Sequence, residues 1–415
     1  MRISHILFRG ALLGSTLAVA ALITAAGASE SRADMERTLA ATGKQSSAFQ
    51  SGAASGFRAM HQPGTYTVMH DFAGGSGDGS DSTAEPTLDS AGNMYGVTDG
   101  SGANASGTLF EITSGGTESL LHSFGASGDG TAPDGAVIFD AGGNMYGTTE
   151  YGGSASDGTV WELAANGTYS VLHNFDGTDG EFIRGRLIQD KKGNFYGTAL
   201  FGGASGDGLV FEYSAKGVLT VLHSFDGSDG EFPEHGVVMD KSGNLYGVTA
   251  FGGTTGDGTV YEISKKGAFT SLYSFTGGAD GDFLYGGLAI DKKGNLYGST
   301  DAGGANGAGT VFTFAPKGTL TTLYSFAGGT DVGSPEGDML LVGKDLYSAA
   351  TSGGTGGEGG VYEVTLKGKE RVLEDFTESG GDGYSAGVTA SGKTLYGTTA
   401  DGGTDGYGVV FSMKK

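Results

Sequence analysis

A short unit of Asn, an apolar residue, Tyr and Gly recurs at nearly even spacing along most of this 415-residue chain. The tyrosines of its seven copies, of which the last two are less regular, are Tyr95, Tyr146, Tyr196, Tyr246, Tyr297, Tyr347 and Tyr396. Successive tyrosines are 51, 50, 50, 51, 50 and 49 residues apart. Such a regular period indicates tandem copies of one structural unit. This takes precedence over the estimate of two or three domains that the length alone suggests.

Each copy is typical of four short strands separated by turns. In the fourth copy the predicted strands a, b, c and d cover 236–240, 244–249, 258–263 and 268–275. Gly243 can supply the positive φ that a tight hairpin between strands a and b requires. The 83 glycines, combined with an aromatic content of 10%, fit many short strands joined by turns better than a disordered chain.

The arrangement of the copies follows from the need to bury both faces of each four-stranded sheet. A single four-stranded sheet cannot bury both of its faces, whereas seven sheets stacked radially bury them and protect their edges. Strands a, b and c occur seven times after residue 84, but the seventh strand d is missing after strand c at 408–413, and the early segment 65–72 supplies it because it matches 168–175. We therefore predict an all-β, seven-bladed β-propeller of four-stranded antiparallel blades, closed by the N-terminal strand 65–72 pairing with the last blade.

The two faces of the predicted ring differ in their links. The a–b and c–d links are tight turns, whereas the d–a and b–c links lie on the opposite face and are longer and rich in Gly, Asp and aromatic residues. Loops held on a rigid scaffold commonly carry binding sites. We expect function on this second face, called the loop face below.

The N-terminus is typical of an export signal. Arg2 and Arg9 precede an apolar run over 11–26, and small residues at 26–28 match the positions that signal peptidase reads. The alternative, a retained membrane anchor, is disfavoured because the apolar run is short for a span. The predicted organisation is a signal peptide at 1–28, a disordered linker at 29–64 and the propeller at 65–415.

Charge and composition exclude several partners. The net charge of -23 and the isoelectric point near 4.5 repel nucleic acid and anionic membrane surfaces, so we expect no nucleic-acid partner. The chain has no cysteine and therefore no disulfide, thiolate metal site or cysteine nucleophile. We expect a monomer, secreted to the periplasm or the exterior, with no membrane span after signal cleavage.

The repeat resembles a known bacterial family. Five copies carry nearly all of a pattern that runs Gly-Asn-Leu-Tyr-Gly, a Gly pair, Gly-Thr-Val-Phe/Tyr-Glu, Leu-His/Tyr-Ser-Phe and an Asp-Gly pair. This pattern resembles the GloVer (Gloeo/Verruco) tandem repeats from about Tyr66 to Phe411. The resemblance implies an extracellular or cell-surface bacterial protein and implies no particular activity.

Aspartates in the Gly-rich loops after strand d could bind calcium. Carboxylates two or three residues apart on a kinked loop can converge on a hard cation that takes six to eight oxygen ligands. The candidate ligands are Asp176, Asp179, Asp226, Asp229, Asp280 and Asp282. The alternative, which we favour, is that each Asp caps its own turn, in which case no cofactor is present.

Aromatic and histidine residues recur at equivalent loop positions. The aromatics of the loop face are Tyr151, Phe201, Phe251, Phe182, Phe232, Phe283 and Tyr384, and the histidines at the end of strand d are His70, His122, His173 and His223. Exposed rings could stack on sugars, but repetition at equal offsets favours wedging of adjacent blades. The histidines lie on different blades, too far apart for one metal ion, and we interpret them as blade packing.

Charged residues at the entrance to strand a break the repeat. Twelve residues before each repeat tyrosine stand Thr83, Asp134, Arg184, Glu234, Tyr285, Pro335 and Tyr384, and His235 and Glu336 follow two of these. If strand a lines the channel, these side chains ring one mouth of it. The predicted ligand-binding residues are Arg184, Arg186, Glu234, His235, Tyr285, Glu336 and Tyr384, and the alternative is a solvated rim without a ligand.

Three functions remain open from the sequence. We favour a secreted, non-catalytic binding or scaffold module for a glycan or another envelope component. The alternative is an extracellular propeller lyase or hydrolase with His235 as general base, Glu234 or Asp134 as its partner and Arg184 as an anion anchor. A purely structural surface protein is the third hypothesis. Equal loops around the ring would favour repeated weak sites, and one polarised pocket would favour an enzyme.

Overall fold

The computed structural model describes residues 66–377, 380–381 and 387–415. The predicted signal peptide and linker lie outside these residues, and the described residues all belong to one compact unit, Gln62–Lys415. Their regular structure is entirely β-strand. Within these ranges there is thus no helix of the length and apolarity needed to cross a membrane.

The described residues form 34 strands. In chain order they are β1 (Tyr66–Asp71), β2 (Gly79–Ser80), β3 (Thr87–Leu88), β4 (Met94–Thr98), β5 (Gly100–Ser101), β6 (Thr108–Ile112), β7 (Glu118–Ser123), β8 (Gly130–Thr131), β9 (Ile138–Phe139), β10 (Met145–Thr149), β11 (Tyr151–Gly152), β12 (Thr159–Leu163), β13 (Tyr169–Asn174), β14 (Ile188–Gln189), β15 (Phe195–Ala199), β16 (Leu209–Tyr213) and β17 (Leu219–Ser224). The second half contains β18 (Val238–Met239), β19 (Leu245–Thr249), β20 (Thr259–Ile263), β21 (Phe269–Ser274), β22 (Ala289–Ile290), β23 (Leu296–Thr300), β24 (Thr310–Ala315), β25 (Thr319–Ser325), β26 (Val332–Gly333), β27 (Leu340–Val342), β28 (Asp345–Ala350), β29 (Ser352–Gly353), β30 (Gly360–Thr365), β31 (Glu370–Asp375), β32 (Val388–Ser391), β33 (Thr394–Thr398) and β34 (Val409–Lys414).

Twenty-eight of these strands form seven antiparallel four-stranded blades. From strand a to strand d, blade 1 consists of β3, β4, β6 and β7, blade 2 of β9, β10, β12 and β13, blade 3 of β14 to β17, blade 4 of β18 to β21, blade 5 of β22 to β25, blade 6 of β27, β28, β30 and β31, and blade 7 of β32, β33, β34 and β1. The predicted seven-bladed β-propeller is confirmed.

The ring closes as the strand count predicts. β1 pairs antiparallel with β34, with Tyr66 opposite Met413 and Asp71 opposite Val409. The Tyr66 ring also stacks on Phe411, with 5.2 Å between the ring centroids. The last blade is therefore a four-stranded sheet only because the first described strand completes it.

A repeated pair of buried rings holds each blade against the next. The Phe after strand d of one blade meets the aromatic residue in strand c of the following blade, as in Phe72 with Phe110 at 5.4 Å and Phe124 with Trp161 at 5.5 Å. The Gly of the repeat unit lies beneath the second ring, because a Cβ on Gly147 would stand 2.4 Å from Trp161. Because glycine has no Cβ, this position of the repeat unit leaves room for the ring that packs between two blades.

The innermost strands are shorter than predicted. In the fourth copy strand a covers only Val238–Met239, whereas the other three strands differ from the prediction by no more than one residue at each end. The reason is a close approach between blades: a Cβ on Gly236 would lie 2.1 Å from the carbonyl oxygen of Arg186 in the preceding blade. The residues that enter strand a therefore pack backbone to backbone with the neighbouring blade.

The Asn of the repeat unit joins two turns. Asp240 Oδ1 accepts hydrogen bonds from the backbone N–H groups of Ser242 and Asn244 at 2.7 and 2.9 Å, and Asn244 Nδ2 donates to Asp240 Oδ2 at 2.9 Å. Asn244 Oδ1 in turn accepts from Lys265 N, in the c–d turn, at 3.0 Å. The pair therefore fixes both tight turns of the blade.

These turn carboxylates predict acid sensitivity. Burial raises the pKa of Asp89, Asp140, Asp190 and Asp291, but hydrogen bonds from the following Asn outweigh it, and the pKa of each is lowered. Their contribution to folding is therefore complete above the unfolded-state pKa, about 4, and is lost as pH falls through the lower folded-state pKa. We expect the free energy of unfolding, measured with urea, to fall between about pH 5 and pH 2. Asp140→Asn should reduce that slope, and a pH-independent free energy would contradict the prediction.

Candidate functional site

The loop face is tied together between consecutive links. In blades 1 to 6, the d–a link pairs with the b–c link of the blade it enters, either in a two-stranded sheet such as β8 with β11 or through a bridge such as Glu181 with Phe201. Similar bridges join Glu231 with Phe251 and Asp282 with Ala302. The longer links are therefore a fixed surface on which side chains hold defined positions.

Three of the six loop aspartates proposed as calcium ligands accept hydrogen bonds from side chains of the same loop or of the preceding strand. Asp176 Oδ1 accepts from Thr178 Oγ1 at 2.6 Å, and Asp226 Oδ1 accepts from Ser228 Oγ at the same distance. Asp280 accepts from Tyr273 OH at 3.0 Å.

The remaining candidates pair with strand d or are buried. Asp179 Oδ2 lies 2.9 Å from His173 Nε2, Asp229 Oδ2 lies 2.8 Å from His223 Nε2, and Asp282 is buried. Across the part of the chain that the structure describes, no group of three or more His, Asp or Glu side chains is arranged to hold a metal ion. Calcium binding therefore stays a prediction of the sequence.

The rim histidines pack between blades, as interpreted from the sequence. The His122 ring stacks on Tyr169 of the next blade at 3.8 Å, and His223 stacks on Phe269 at 3.6 Å. Each ring is therefore held by a loop carboxylate on one side and by a neighbouring blade on the other.

Aromatic side chains of the loop face form one continuous arc across blades 2 to 5. Its members, called the aromatic arc below, are Tyr151, Phe182, Phe201, Phe232, Phe251, Phe283 and Tyr285. Successive ring centroids are 4.6, 5.3, 5.1, 5.8 and 5.0 Å apart from Tyr151 to Phe283, mostly in edge-to-face contact. Most of the rings are partly exposed, so the arc both joins the blades and presents an apolar edge to solvent.

Three members of the arc have an unusual backbone. Phe182, Phe232 and Phe283 have φ of 57, 58 and 58°, in the left-handed region that bulky residues rarely adopt. A residue held there costs of the order of 1–3 kcal/mol of conformational energy. Equivalent positions in other blades carry Asp81 and Ala132 with the same sign of φ, so the conformation belongs to the loop and does not require an aromatic side chain.

The residues that enter strand a meet at one end of the central channel. This channel mouth consists of residues 83–85, 134–136, 184–186, 234–236, 285–287 and 335–338. Arg184 is its most connected member: its Nε lies 2.5 Å from Glu150 Oε1, its Nη1 lies 3.2 Å from Glu234 Oε2, and Asp134 is 3.8 Å away. Three carboxylates from adjoining blades thus surround one guanidinium group.

Two further ion pairs cross the channel mouth, and each joins two blades that are not adjacent. Arg186 Nη1 of blade 3 lies 3.2 Å from Glu85 Oε1 of blade 1, and His235 Nδ1 of blade 4 lies 2.8 Å from Asp338 Oδ1 of blade 6. These four side chains and Asp134 line a space of about 250 Å³, counting the solvent open to it. The channel is therefore bridged by charge pairs on the loop face.

The electrostatics of the mouth follow from burial and pairing. Burial alone would lower the pKa of His235, but the carboxylate of Asp338 raises it to about 9. Burial raises the pKa of Glu85 to about 7, with repulsion from Asp338 and partial compensation by Arg186. The imidazole is thus protonated at neutral pH, and the carboxylates exceed the cations.

The structure brings together most of the residues singled out in the sequence. One ion network contains Asp134, Arg184 and Glu234. The two pairs that cross the channel contain Arg186 and His235. The edge of the same mouth holds Tyr285 and Glu336. Tyr384 lies outside the described residues.

Sequence analysis missed five acidic residues of this region, which are Glu85, Asp99, Glu150, Asp301 and Asp338. Glu150 and Asp301 stand four residues after a repeat tyrosine, where other copies have Leu200 or Ala250. A comparison of this position between copies would have identified Glu150 and Asp301, as the comparison at the entrance to strand a identified Arg184 and Glu234. Asp338 could not be assigned to His235 from the sequence, because the pair joins blades that are not adjacent.

Fold and site together define a tandem-repeat, seven-bladed β-propeller with one polarised channel mouth. The chain belongs to the Gloeobacter/Verrucomicrobia repeat family, which matches residues 36–249 and 233–415. This confirms the resemblance drawn from the repeat pattern. No curated protein sequence matches the chain significantly.

Solved structures share the fold at low sequence identity. Virginiamycin B lyase from Staphylococcus aureus aligns with a TM-score of 0.56 and 10% identity over 84% of this chain and 100% of its own. A streptogramin B lyase aligns with a TM-score of 0.56 and 10% identity over 85% of this chain and 98% of its own. The extracellular domain of a one-component system from B. thetaiotaomicron has a TM-score of 0.53 and 13% identity over 84% of this chain and 40% of its own. At these identities the likeness shows the propeller fold alone.

Proposed function

We propose that this protein is an exported, non-catalytic binding propeller that binds a glycan on its loop face. The observation that carries the proposal is the aromatic arc, a row of partly exposed rings beside the channel mouth. The loop conformation does not require an aromatic side chain at these positions, since Ala132 adopts it too, and a binding role accounts for the bulky rings of Phe182 and Phe283 there.

The chemistry of this surface suits a carbohydrate. Flat aromatic faces contact the C–H faces of sugar rings, and the carboxylates at the mouth can accept hydrogen bonds from sugar hydroxyls. The bridged links hold both groups in place, so little conformational entropy is lost when a ligand binds.

The same mouth is poorly suited to the enzymatic alternative. A general base must be unprotonated at the working pH, whereas Asp338 holds the pKa of His235 at about 9. Arg184 is surrounded by Glu150, Glu234 and Asp134 and is not available as an anion anchor. The mouth is nevertheless one polarised site, the feature that favours an enzyme over repeated weak sites. What supports non-catalytic binding is the pairing of His235 and Arg184 with carboxylates.

Export is part of the proposal. Its support is the leader at the N-terminus, the family resemblance, and a shared fold with the extracellular domain of a B. thetaiotaomicron protein. A glycan of the cell envelope or of its surroundings is a ligand that an acidic exported protein would encounter.

Affinity electrophoresis in gels that contain different polysaccharides tests the proposal. We expect at least one polysaccharide to retard the protein, and the double variant Phe182→Gly/Phe283→Gly to lose that retardation. Glycine relieves the strain at both positions, so the free energy of unfolding should change by less than about 2 kcal/mol.

Tyr407→Ala is the matched control, because this exposed aromatic residue lies in a b–c link outside the arc. It should keep the retardation. Equal migration in all gels, or a double variant that is retarded like the parent protein, would overturn the assignment of the arc as a glycan site.

A further inference from the structure

Two carboxylates stand where the aromatic arc meets the channel mouth. Asp301 follows β23, and its backbone N–H donates to Phe283 O at 2.8 Å, which places it beside the arc. Ser299 Oγ donates to Pro335 O at 3.3 Å, which brings the entrance segment of blade 6, with Glu336, against the same strand. The two acids therefore come from neighbouring blades.

Asp301 has an unsatisfied acceptor. The residue is 2% exposed, and its Oδ1 atom has no hydrogen-bond donor within reach among residues 66–377, 380–381 and 387–415. In the same ranges neither Asp301 nor Glu336 forms an ion pair, since Arg184 and His235 pair with other carboxylates. A buried acceptor without a donor is costly unless a ligand supplies one.

Repulsion between the two acids supports this reading. Burial and the charge of Asp301 raise the pKa of Glu336 to about 8, and burial raises the pKa of Asp301 to about 6 despite a hydrogen bond with Ser334. Tyr285 is 7% exposed, and its ring packs on Phe283 with 6.4 Å between the ring centroids. Burial, together with charges that include those of Asp301 and Glu336, raises the pKa of its hydroxyl group. Tyr285 and the two carboxylates thus lie near one another where neither carboxylate forms an ion pair within the described part of the chain, and the protonated His235 only partly offsets the charge of Glu336.

We propose that the glycan is a basic one, and that a protonated amino group of its sugars binds between Asp301 and Glu336 beside the ring of Tyr285. This inference rests on the proposed function and specifies its ligand class. An ammonium group has three donors and no acceptor, which matches the unsatisfied Asp301 oxygen and the Glu336 carboxylate. It also interacts favourably with an aromatic ring, and the net charge of -23 attracts a basic polymer.

The direct test is isothermal titration calorimetry with a glucosamine oligosaccharide and with the same oligosaccharide fully N-acetylated. The two probes share one sugar backbone and differ in charge. Near neutral pH, where Asp301 is ionised and a sugar amine is still partly protonated, we expect the basic oligosaccharide to bind about tenfold more tightly or better.

Isosteric variants locate the contact. Asp301→Asn and Glu336→Gln should each abolish most of the preference for the basic probe. Both should leave the melting temperature of the ligand-free protein unchanged or raised, because a buried repelling charge is removed. A merely structural carboxylate would instead lower it. Asp405→Asn, at an exposed position in a b–c link, is the matched control for net charge and should bind like the parent protein.

The outcomes separate this inference from the proposed function. Equal affinity for both probes would overturn the amine site and leave glycan binding standing. Binding of a simple polyamine but of no oligosaccharide would support the amine site and overturn the glycan. Loss of the preference in Asp405→Asn as well would overturn the site by showing that the attraction is non-specific.

Discussion

A chain that begins at residue 74 is expected to lose most of its stability, because it lacks β1 and Phe72. β1 pairs with β34 from Tyr66 to Asp71, and its removal exposes the edge of the last blade. Phe72 is fully buried and contacts Phe110 of blade 1, so loss of its side chain alone costs about 3–5 kcal/mol. Urea unfolding followed by circular dichroism measures the effect.

The control for this deletion is a chain that begins at Gln62, the start of the compact unit, which should unfold like the full chain. A synthetic peptide covering residues 65–72, added to the chain that begins at 74, should raise its melting temperature by pairing with β34. Equal stability of the two truncated chains would contradict the ring closure.

Gly236→Val is expected to be the most damaging single substitution at the channel. The new Cβ would lie 2.1 Å from the Arg186 carbonyl oxygen, a backbone atom that cannot rotate away. Blades 3 and 4 would have to separate at their inner edge, which disturbs the packing of the ring. We expect a loss of about 3 kcal/mol or more in the free energy of unfolding.

Gly77→Val is the matched control, since nothing lies within 4 Å of the Cβ position at Gly77 and its φ is not in the left-handed region. It should change the free energy of unfolding by less than about 1 kcal/mol. A Gly236→Val protein that is as stable as the Gly77→Val protein would show that the blades do not approach as closely as described.

Much of the fold was predictable from sequence because its causes are local and repeated. The hairpin turn around Asp240 and Asn244 is formed within five residues, and the first five copies of the repeat all carry the signal. The ring closure was predictable for another reason: counting strands left one edge unpaired, and only 65–72 matched the missing strand. Strand a was overpredicted because its length is limited by the neighbouring blade, which no local pattern records.

The candidate site was predictable in part. Variation between copies identified Arg184, Glu234 and His235, since the repeat itself does not require charge at these positions. The pattern did not reveal their partners: Asp338 pairs with His235, and three carboxylates surround Arg184.

The sequence by itself determined the repeat, the four-stranded unit, the number of blades and the closing strand, because each depends on neighbouring residues or on simple counting. Only the tertiary structure decided that Arg186 pairs with Glu85, 101 residues away, that His235 pairs with Asp338 two blades further on, and that seven rings from four blades form one arc. These contacts depend on the radius of the ring and on the angle between blades, and those quantities arise from the packing of all seven units together.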